Sequence, residues 1–211
     1  MNTSIPYIDA RTHQLLSDES RICFHTYRHG IHPWLVQRLL DGAQLNDLRQ
    51  NPPPYFGEVG IDRRRPVDPE LQRALFCQYL NLAKELHLPL IVHAVGAEND
   101  IAQCLKHTPY SKVLIHGFHG NTSQAKILLT QGCYLSIGAA LIKSHKLQEA
   151  LTTIPLEKLF FETDDQKDVA IELIYQCAST ILEITLDELK AKIFDNAIAF
   201  FGDTDDWKKM D

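Results

Sequence analysis

Several short apolar segments of this chain end in side chains that can bind a metal ion. These side chains are Glu58, His93, His116 and Asp164. Asp9 and His13 lie at and after the end of the first apolar segment. Imidazole nitrogens and carboxylate oxygens together suit zinc, manganese and related divalent ions. A single histidine in such a place is more often a hydrogen-bonded core residue. Four buried ligand-type residues without a metal, however, would leave costly unpaired polar groups. A metal site and a set of unrelated core residues are therefore the two interpretations.

The apolar segments alternate with helical patterns, which is typical of an α/β fold. Strands are predicted at residues 5–9, 22–27, 55–60, 90–95, 113–118, 133–139 and 159–164, because these segments are short and apolar on both faces. Between them, Asp68-Pro69-Glu70 is a helix start, and Thr185 with Glu188 has the pattern of a capping box. Strands that alternate with helices predict a parallel sheet. The carboxyl ends of its strands open on one face, where the ligand-type residues would meet.

Seven predicted strands are one short of a closed eight-stranded barrel. About a dozen residues separate Asp9 from Ile22, which is marginal for a helical crossover between parallel strands. We therefore expect a truncated TIM-type (β/α) barrel of seven parallel strands, with one βα unit lost after the first strand. Residues 1–202 are expected to form this single domain and residues 203–211 a polar tail, which Trp207 could dock. An open barrel exposes strand edges, so a homodimer through the gap is an alternative to a monomer.

The composition excludes several classes of protein. The 211 residues are 45% apolar and 23% charged, as in a globular protein rather than a disordered or collagen-like one. Lysine and arginine number 21 against 27 aspartate and glutamate residues, so a net charge of −6 gives no general attraction for nucleic acid. No apolar run reaches the ~20 residues of a membrane span, and the polar amino terminus is not that of a signal peptide. Five widely spaced cysteines are typical of reduced thiols. We expect a cytoplasmic protein with no membrane partner.

Several motifs together resemble those of the TatD family of metal-dependent hydrolases. They are IDARTHQ (8–14), GIHPW (30–34), GEVGID (57–62), LPLIVHA (88–94), VLIHGFHG (113–120), YLSIGA (134–139) and IPLEKLFFETD (154–164). The resemblance runs in order from residue 5 to about residue 201. It implies an amidohydrolase-type barrel of the kind associated with DNase activity.

The resemblance also implies roles for five residues of this chain. Glu58 would bridge two divalent metal ions. His93 and His116 would complete one metal site with it, and His13 and Asp164 would belong to the other. Glu58 and Asp164 would be the catalytic carboxylates, and Asp164 would orient or deprotonate the attacking water. The implied cofactor is Zn²⁺, Mn²⁺ or Mg²⁺.

The chain departs from the family at Arg11, which stands where the family motif Asp-x-His-x-His has its first histidine. A guanidinium stays protonated and cannot donate a lone pair to a metal ion. We therefore expect one well-occupied metal site, at Glu58, His93 and His116, and a second site that is weak or absent. Arg11 is expected instead to contact a phosphate of the substrate.

Four other residues are candidates for contact with the substrate. Arg63 and Arg64 belong to a run of three arginines on the loop after the third strand. They are either a solvated charge run or a phosphate clamp, since arginine forks match phosphate oxygens. His119 replaces a usual threonine of the family and is a further candidate. His32 in the GIHP turn either touches substrate or is a structural turn histidine.

These residues favour a hydrolase that cleaves phosphodiester bonds, such as those at nucleic-acid ends, with a metal-activated water. The alternative is a relative that has lost catalysis and serves as a binding or scaffold protein, as the replacement at Arg11 and the missing βα unit would allow. Hydrolysis of an ester or amide is a third interpretation, because the same activated water attacks carbonyl groups.

Overall fold

Short parallel strands alternate with helices through most of the chain. The computed structural model describes residues 5–13, 20–26, 28–166 and 168–207. The strands are β1 (Tyr7–Asp9), β2 (Arg21–Cys23), β3 (Phe56–Asp62), β4 (Leu90–Val95), β5 (Val113–His116), β6 (Tyr134–Ile137) and β7 (Leu159–Phe161). The helices are α1 (Gly42–Gln50), α2 (Pro69–Leu86), α3 (Glu98–His107), α4 (Thr122–Leu129), α5 (His145–Leu151), α6 (Ile171–Leu182), α7 (Leu186–Phe201) and α8 (Thr204–Trp207). Short 3₁₀ helices lie at Pro33–Leu35, Ala139–Ile142 and Leu156–Lys158. The predicted parallel α/β fold is confirmed.

The strands form two sheets instead of one closed barrel within the described residues. β3 to β7 pair in chain order in a five-stranded parallel sheet, and β1 and β2 pair in a two-stranded parallel sheet. The N–H of Ala10 donates to the carbonyl of Phe161 at 2.9 Å, which links the end of β1 to β7. On the other side, β2 ends at Cys23, and an antiparallel bridge between His29 and Gly57 takes the chain to β3. The predicted strand at 22–27 is therefore shorter than expected.

The connection between β1 and β2 is only partly described. Residues 14–19 lie outside the described ranges, so the predicted plain connection from Asp9 to Ile22 falls largely on residues whose structure is not given. The strands that this connection joins are described, and they pair directly in parallel, with Ile8 opposite Ile22.

The helices α2 and α7 begin where the sequence predicts, and both pack apolar side chains into the core. The side chain of Asp68 accepts the N–H of Glu70 at the start of α2. Thr185 and Glu188 form a capping box at the start of α7, and the helix ends at Gly202, which has a positive φ of 94°. Completely buried residues of the strands and of these helices make up one continuous core. A rigid scaffold therefore holds the ends of the strands.

The segment after α7 packs on the core as far as it is described. The ring of Trp207 lies 5.4 Å from those of Phe24 and Phe194, and its indole N–H donates to the carbonyl of Gly202 at 2.8 Å. The tail predicted at residues 203–211 is therefore docked through Trp207, and residues 208–211 lie outside the described part. Among the described residues, helices both long and apolar enough to cross a membrane are absent.

Candidate active site

The five predicted metal ligands converge on one cavity at the carboxyl ends of the strands. The cavity has a volume of about 370 Å³, and its lining includes His13, Glu58, His93, His116 and Asp164. They come from β3, β4 and β5 or follow β1 and β7, which is the arrangement expected where parallel strands open on the same face.

Glu58 lies inside β3 instead of at its end, because the strand continues beyond it. The pairing of β3 with β4 is irregular between Phe56 and Val59, and after this irregularity Gly60 pairs with His93. Gly60 has a φ of 142°, and a Cβ there would overlap the carbonyl oxygen of His93. The glycine therefore lets β3 approach His93 closely, which places Glu58 beside that histidine.

Glu58, His93 and His116 turn their donor atoms toward one another, and we call them the histidine half of the site. Nδ1 of His93 lies 3.2 Å from Oε1 of Glu58 and 3.2 Å from Nε2 of His116. Nε2 of His116 also contacts Oε1 of Glu58. A tetrahedral zinc ion bound at about 2.0–2.1 Å separates its ligand atoms by roughly 3.3–3.4 Å. The two distances from Nδ1 of His93 match this spacing, so the three residues offer their donor atoms to one place.

Each histidine of this half has a carboxylate behind its other ring nitrogen. Oδ2 of Asp62 lies 3.4 Å from Nε2 of His93, and Oε1 of Glu162 lies 3.5 Å from Nδ1 of His116. Both carboxylates are buried, and the hydroxyl of Ser136 donates to Glu162. Asp62 accepts the far N–H of His93, which leaves the lone pair of Nδ1 for a metal ion, whereas Glu162 faces His116 as a charge without a hydrogen bond. The residues present therefore fit a resident metal ion.

The charges of the histidine half are coupled. Burial alone would raise the pKa of Glu58, but His116, His93 and Arg11 hold that pKa well below its usual range. Burial alone would lower the pKa of His116, yet the charges of Glu58 and Glu162 raise it to about 9. Without a metal ion, the cluster therefore keeps a proton on His116. A divalent cation brings positive charge to the same place, so its binding to His116 displaces that proton.

His32 also faces Glu58, but it is oriented as a hydrogen-bond donor. Although donor atoms of His32, Glu58 and His93 lie within 4.8 Å of one another, Nδ1 of His32 accepts the backbone N–H of Trp34 at 3.2 Å. Burial lowers the pKa of His32 to about 4, so the ring is neutral and carries its proton on Nε2. Nε2 lies 3.7 Å from Oε1 of Glu58. His32 therefore has a structural role in the turn and also lines the cavity, while its contact with substrate stays a prediction.

Arg11, His13 and Asp164 form the other half, which we call the arginine half. The buried guanidinium of Arg11 contacts Oδ1 of Asp164 through Nη1. Its Nη2 lies 2.6 Å from Oε2 of Glu58 and 3.3 Å from Nε2 of His13. The groups that the resemblance assigns to a second metal ion thus surround a guanidinium. A fixed positive charge at this place opposes the binding of a second cation.

The ends of β1 and β7 are tied together beneath Arg11. Asp164 has a φ of 52°, which is a left-handed conformation. Two backbone hydrogen bonds hold it: the N–H of Asp164 donates to the carbonyl of Arg11 at 2.9 Å, and the N–H of His13 donates to the carbonyl of Asp164 at 3.0 Å. The buried carboxylate of Asp9 accepts the N–H and the hydroxyl of Thr163 at 2.9 and 2.7 Å. Burial raises the pKa of Asp9 to about 7, although the hydrogen bonds of Thr163 oppose the change.

Of the predicted substrate contacts, Arg11 and His32 line the cavity, whereas Arg63, Arg64 and His119 do not line it within the described ranges. Arg63 makes a bidentate ion pair with Asp100 on α3, with both contacts at 2.6 Å. Arg64 is exposed, and His119 is exposed with Nδ1 2.7 Å from a backbone carbonyl. Arg63 would have to leave an acidic partner to bind a phosphate. Contact of these three residues with substrate stays a prediction.

Asp62, Glu162 and Trp34 belong to the site, although the sequence assigned them no role. Asp62 follows a strand that is predicted to end at residue 60, whereas the strand continues, buried throughout, to Asp62. Glu162 lies between β7 and Asp164. The sequence alone does not show whether Glu162 or Asp164 faces His116. Trp34 lines the cavity after the GIHP turn. A large aromatic residue in a turn beside a candidate histidine was the available signal.

Comparisons with known proteins show the family of this chain. A family model described as TatD related DNase matches residues 6–202. Deoxyribonuclease Tat-D of Schizosaccharomyces pombe is 30% identical over 149 residues, which cover 67% of this chain and 46% of that protein. An uncharacterized metal-dependent hydrolase of Haemophilus influenzae is 31% identical over 153 residues, which cover 65% of this chain and 58% of that protein. The chain therefore spans about half the length of these relatives.

A solved structure shows the same fold. The TatD homologue YjjV of Escherichia coli has a TM-score of 0.72 and 21% sequence identity, with 88% of this chain and 78% of that chain covered. The described elements of this chain are therefore arranged as in that protein.

Proposed function

Because the chain belongs to the family of TatD-related DNases, we propose that it is a metal-dependent hydrolase that cleaves phosphodiester bonds at nucleic-acid ends. One observation carries the proposal. Two imidazole nitrogens and the carboxylate of Glu58 face one another, and Asp62 and Glu162 lie behind the two histidines. Hydrolytic metal sites need such a donor set, with each histidine oriented by a second group. The names of the relatives, deoxyribonuclease and metal-dependent hydrolase, support the same reaction class.

The residues have separate roles in the proposed reaction. Glu58, His93 and His116 hold one Zn²⁺, Mn²⁺ or Mg²⁺ ion, which when bound supplies Lewis-acid chemistry to water and to a phosphoryl oxygen. The carboxylate of Asp164, whose side chain is 33% exposed, orients the attacking water and accepts its proton. The guanidinium of Arg11 neutralises charge on the phosphoryl oxygens as the bond to the leaving group breaks.

One resident metal ion is proposed, with a second site that is weak or absent. The proposal is supported by the position of Arg11, which pairs with both Glu58 and Asp164. In this arrangement His13 contributes a neutral ring beside the guanidinium, because burial and then Arg11 lower its pKa. The arginine half then supplies charge without a bound cation.

The same proposal extends to the architecture. We take residues 1–202 as a single truncated TIM-type barrel that has lost one βα unit after β1, since β1 and β2 pair directly. The protein is expected to act as a monomer in the cytoplasm, with a homodimer through the seam between β2 and β3 as the alternative.

The experiment measures bound metal and cleavage on the same preparations. Elemental analysis after dialysis against Mn²⁺ is expected to give about one ion per wild-type chain and none for Glu58→Gln. Cleavage of single-stranded DNA in Mg²⁺ or Mn²⁺ is expected for the wild type and lost in Glu58→Gln. Glu149→Gln, at an exposed carboxylate, is the matched control and should behave as wild type.

Three outcomes would overturn the proposal. A wild-type chain that binds no divalent ion and cleaves no DNA would favour the scaffold interpretation, and cleavage that returns in Arg11→His would trace the loss to the arginine half. A Glu58→Gln variant as active as wild type would show that the site is elsewhere. Cleavage of an aryl ester but not of DNA would favour the ester or amide interpretation.

A further inference from the structure

Trp34 is a large exposed side chain on the wall of the candidate active site. It lies in the short helix Pro33–Leu35, and its side chain and that of Leu35 line the cavity. Trp34 is 45% exposed and Leu35 is 70% exposed. Exposed apolar area beside a polar site often marks the place where a ligand binds.

The indole of Trp34 is held in one orientation. Its Nε1 donates to Oδ2 of Asp62 at 2.6 Å, and Asp62 is buried. The ring of His32 contacts it edge-on, with 4.8 Å between centroids. The guanidinium of Arg65 lies 3.8 Å above the indole centroid. Arg65 therefore covers one face of the indole, and a nucleobase would stack on the opposite face.

Trp34 is also close to the proposed metal ligands. Its ring centroid lies 6.1 Å from that of His93, whose Nδ1 faces Glu58. Trp34, Glu58 and Arg11 line the same cavity, so a base on the indole would have its phosphate close to the proposed metal site. The net charge of −6 supplies no general attraction for a polyanion, so affinity has to come from local contacts such as these.

We propose that Trp34 and Arg65 form a stacking site for the nucleobase next to the cleaved phosphodiester bond. The inference rests on the proposed function and adds to it a contact with the base, which has to be unpaired. Because every base has a π-face, the site would bind any sequence but would not bind a strand that lacks the base.

The experiment compares oligonucleotides with and without bases. A five-nucleotide deoxyadenosine oligomer and its abasic counterpart, both with phosphorothioate links that resist cleavage, are titrated in Mg²⁺. Wild type is expected to bind the base-containing oligomer on the order of 10- to 100-fold more tightly than the abasic one. Trp34→Ala should reduce this ratio to near one, and Trp34→Phe should keep most of it. Leu173→Ala, at an exposed apolar position of α6 that does not line the cavity, is the control that should keep all of it.

Fluorescence gives a second measurement, because the chain has two tryptophans. In a Trp207→Phe background, the emission of Trp34 is expected to be quenched by the base-containing oligomer and unchanged by the abasic one. Equal affinities for the two oligomers, no detectable binding of either, or an unchanged ratio in Trp34→Ala would each overturn the inference.

The result separates this inference from the proposed function. A wild type that cleaves DNA but does not distinguish the abasic strand refutes the stacking site and leaves the hydrolase proposal intact. A wild type that distinguishes the two strands but cleaves neither DNA nor other phosphodiesters supports the stacking site and refutes the hydrolase proposal.

Discussion

The two halves of the site obtain their positive charge in different ways. In the histidine half, the inward-facing nitrogens of His93 and His116 converge with Glu58, and each ring has a carboxylate behind it. In the arginine half, the guanidinium of Arg11 itself lies between the carboxylates of Glu58 and Asp164. The first half is arranged to take a cation from solution, whereas the second keeps one that is part of the chain.

The difference separates two functions that a pair of metal ions would share. A guanidinium neutralises charge and donates hydrogen bonds, but it has no coordination position for water. Activation of water therefore belongs to the histidine half, and the arginine half can contribute charge and positioning. Each half can be disrupted alone, so the comparison can be tested.

Loss of a ligand from the histidine half should have the largest effect. His93→Ala removes one of three donors, which should weaken Mn²⁺ binding by at least about 100-fold, more than loss of a supporting group does. Cleavage of single-stranded DNA should be lost with it. Calorimetric titration with Mn²⁺ measures the affinity, and His107→Ala, at an exposed position at the end of α3, is the control. Unchanged affinity in His93→Ala would remove the basis for the comparison.

The arginine half should respond in stability. Arg11→Met leaves Glu58 buried without its nearest fixed cation, which should lower the free energy of unfolding by about 3–5 kcal/mol in EDTA. Excess Mn²⁺ should restore part of this stability, because a second cation is no longer repelled. Urea unfolding with and without metal measures both effects. Arg49→Met is the control, because it breaks an exposed ion pair with Glu85 and should cost little stability. An equally small loss of stability in Arg11→Met would contradict the prediction.

Asp9, beneath the arginine half, should make stability depend on pH. Folding raises its pKa to about 7, mainly by burial, with Glu162 raising it and Thr163 and Arg21 lowering it. Its contribution to stability is therefore present below about pH 4 and is lost as the pH rises to about 7, by about 4 kcal/mol in total.

Asp9→Asn should remove this part of the decline, because the amide stays neutral and can still bond to Thr163. Urea unfolding at pH 4 to 8 gives the stability of both chains, and Asp195→Asn, at an exposed position, is the control. A wild type and an Asp9→Asn variant with the same pH profile would show that Asp9 is charged in the fold.

The smallest effect is expected from the carboxylate behind His116. Glu162→Gln keeps the shape of the side chain but removes the charge that orients His116, which should weaken Mn²⁺ binding by about 10- to 100-fold. The same calorimetric titration measures the change, with Glu157→Gln on the surface for comparison. Equal affinity in wild type and Glu162→Gln would mean that His116 needs no orienting group.

The sequence predicted the convergence of the ligand-type residues because it depends on few rules. Short apolar segments that alternate with helical patterns form parallel strands, and parallel strands open on one face. Glu58, His93 and His116 therefore had to lie near one another once the strands were placed. The capping residues Asp68 and Thr185 fixed the starts of α2 and α7 for a similarly local reason.

Other features depend on contacts between distant residues and could not be predicted in the same way. The sequence shows that Arg11 replaces a histidine, but only the fold shows that its guanidinium reaches both Glu58 and Asp164. The pairing of Arg63 with Asp100 depends on where α3 begins after β4. The seam between β2 and β3 also has no local signal, because the segment after Cys23 is apolar enough to continue the strand.

Asp62 accepts hydrogens from two rings, the indole of Trp34 and the imidazole of His93. One carboxylate thus sets the angle of the surface on which a base would rest and the angle of a nitrogen that would bind the ion. A substitution of Asp62 alters both angles together, so the affinity for the nucleic-acid strand and the affinity for the metal ion change at the same time. Engineering that seeks to change one without the other has to leave Asp62 in place and work on Trp34 or Arg65.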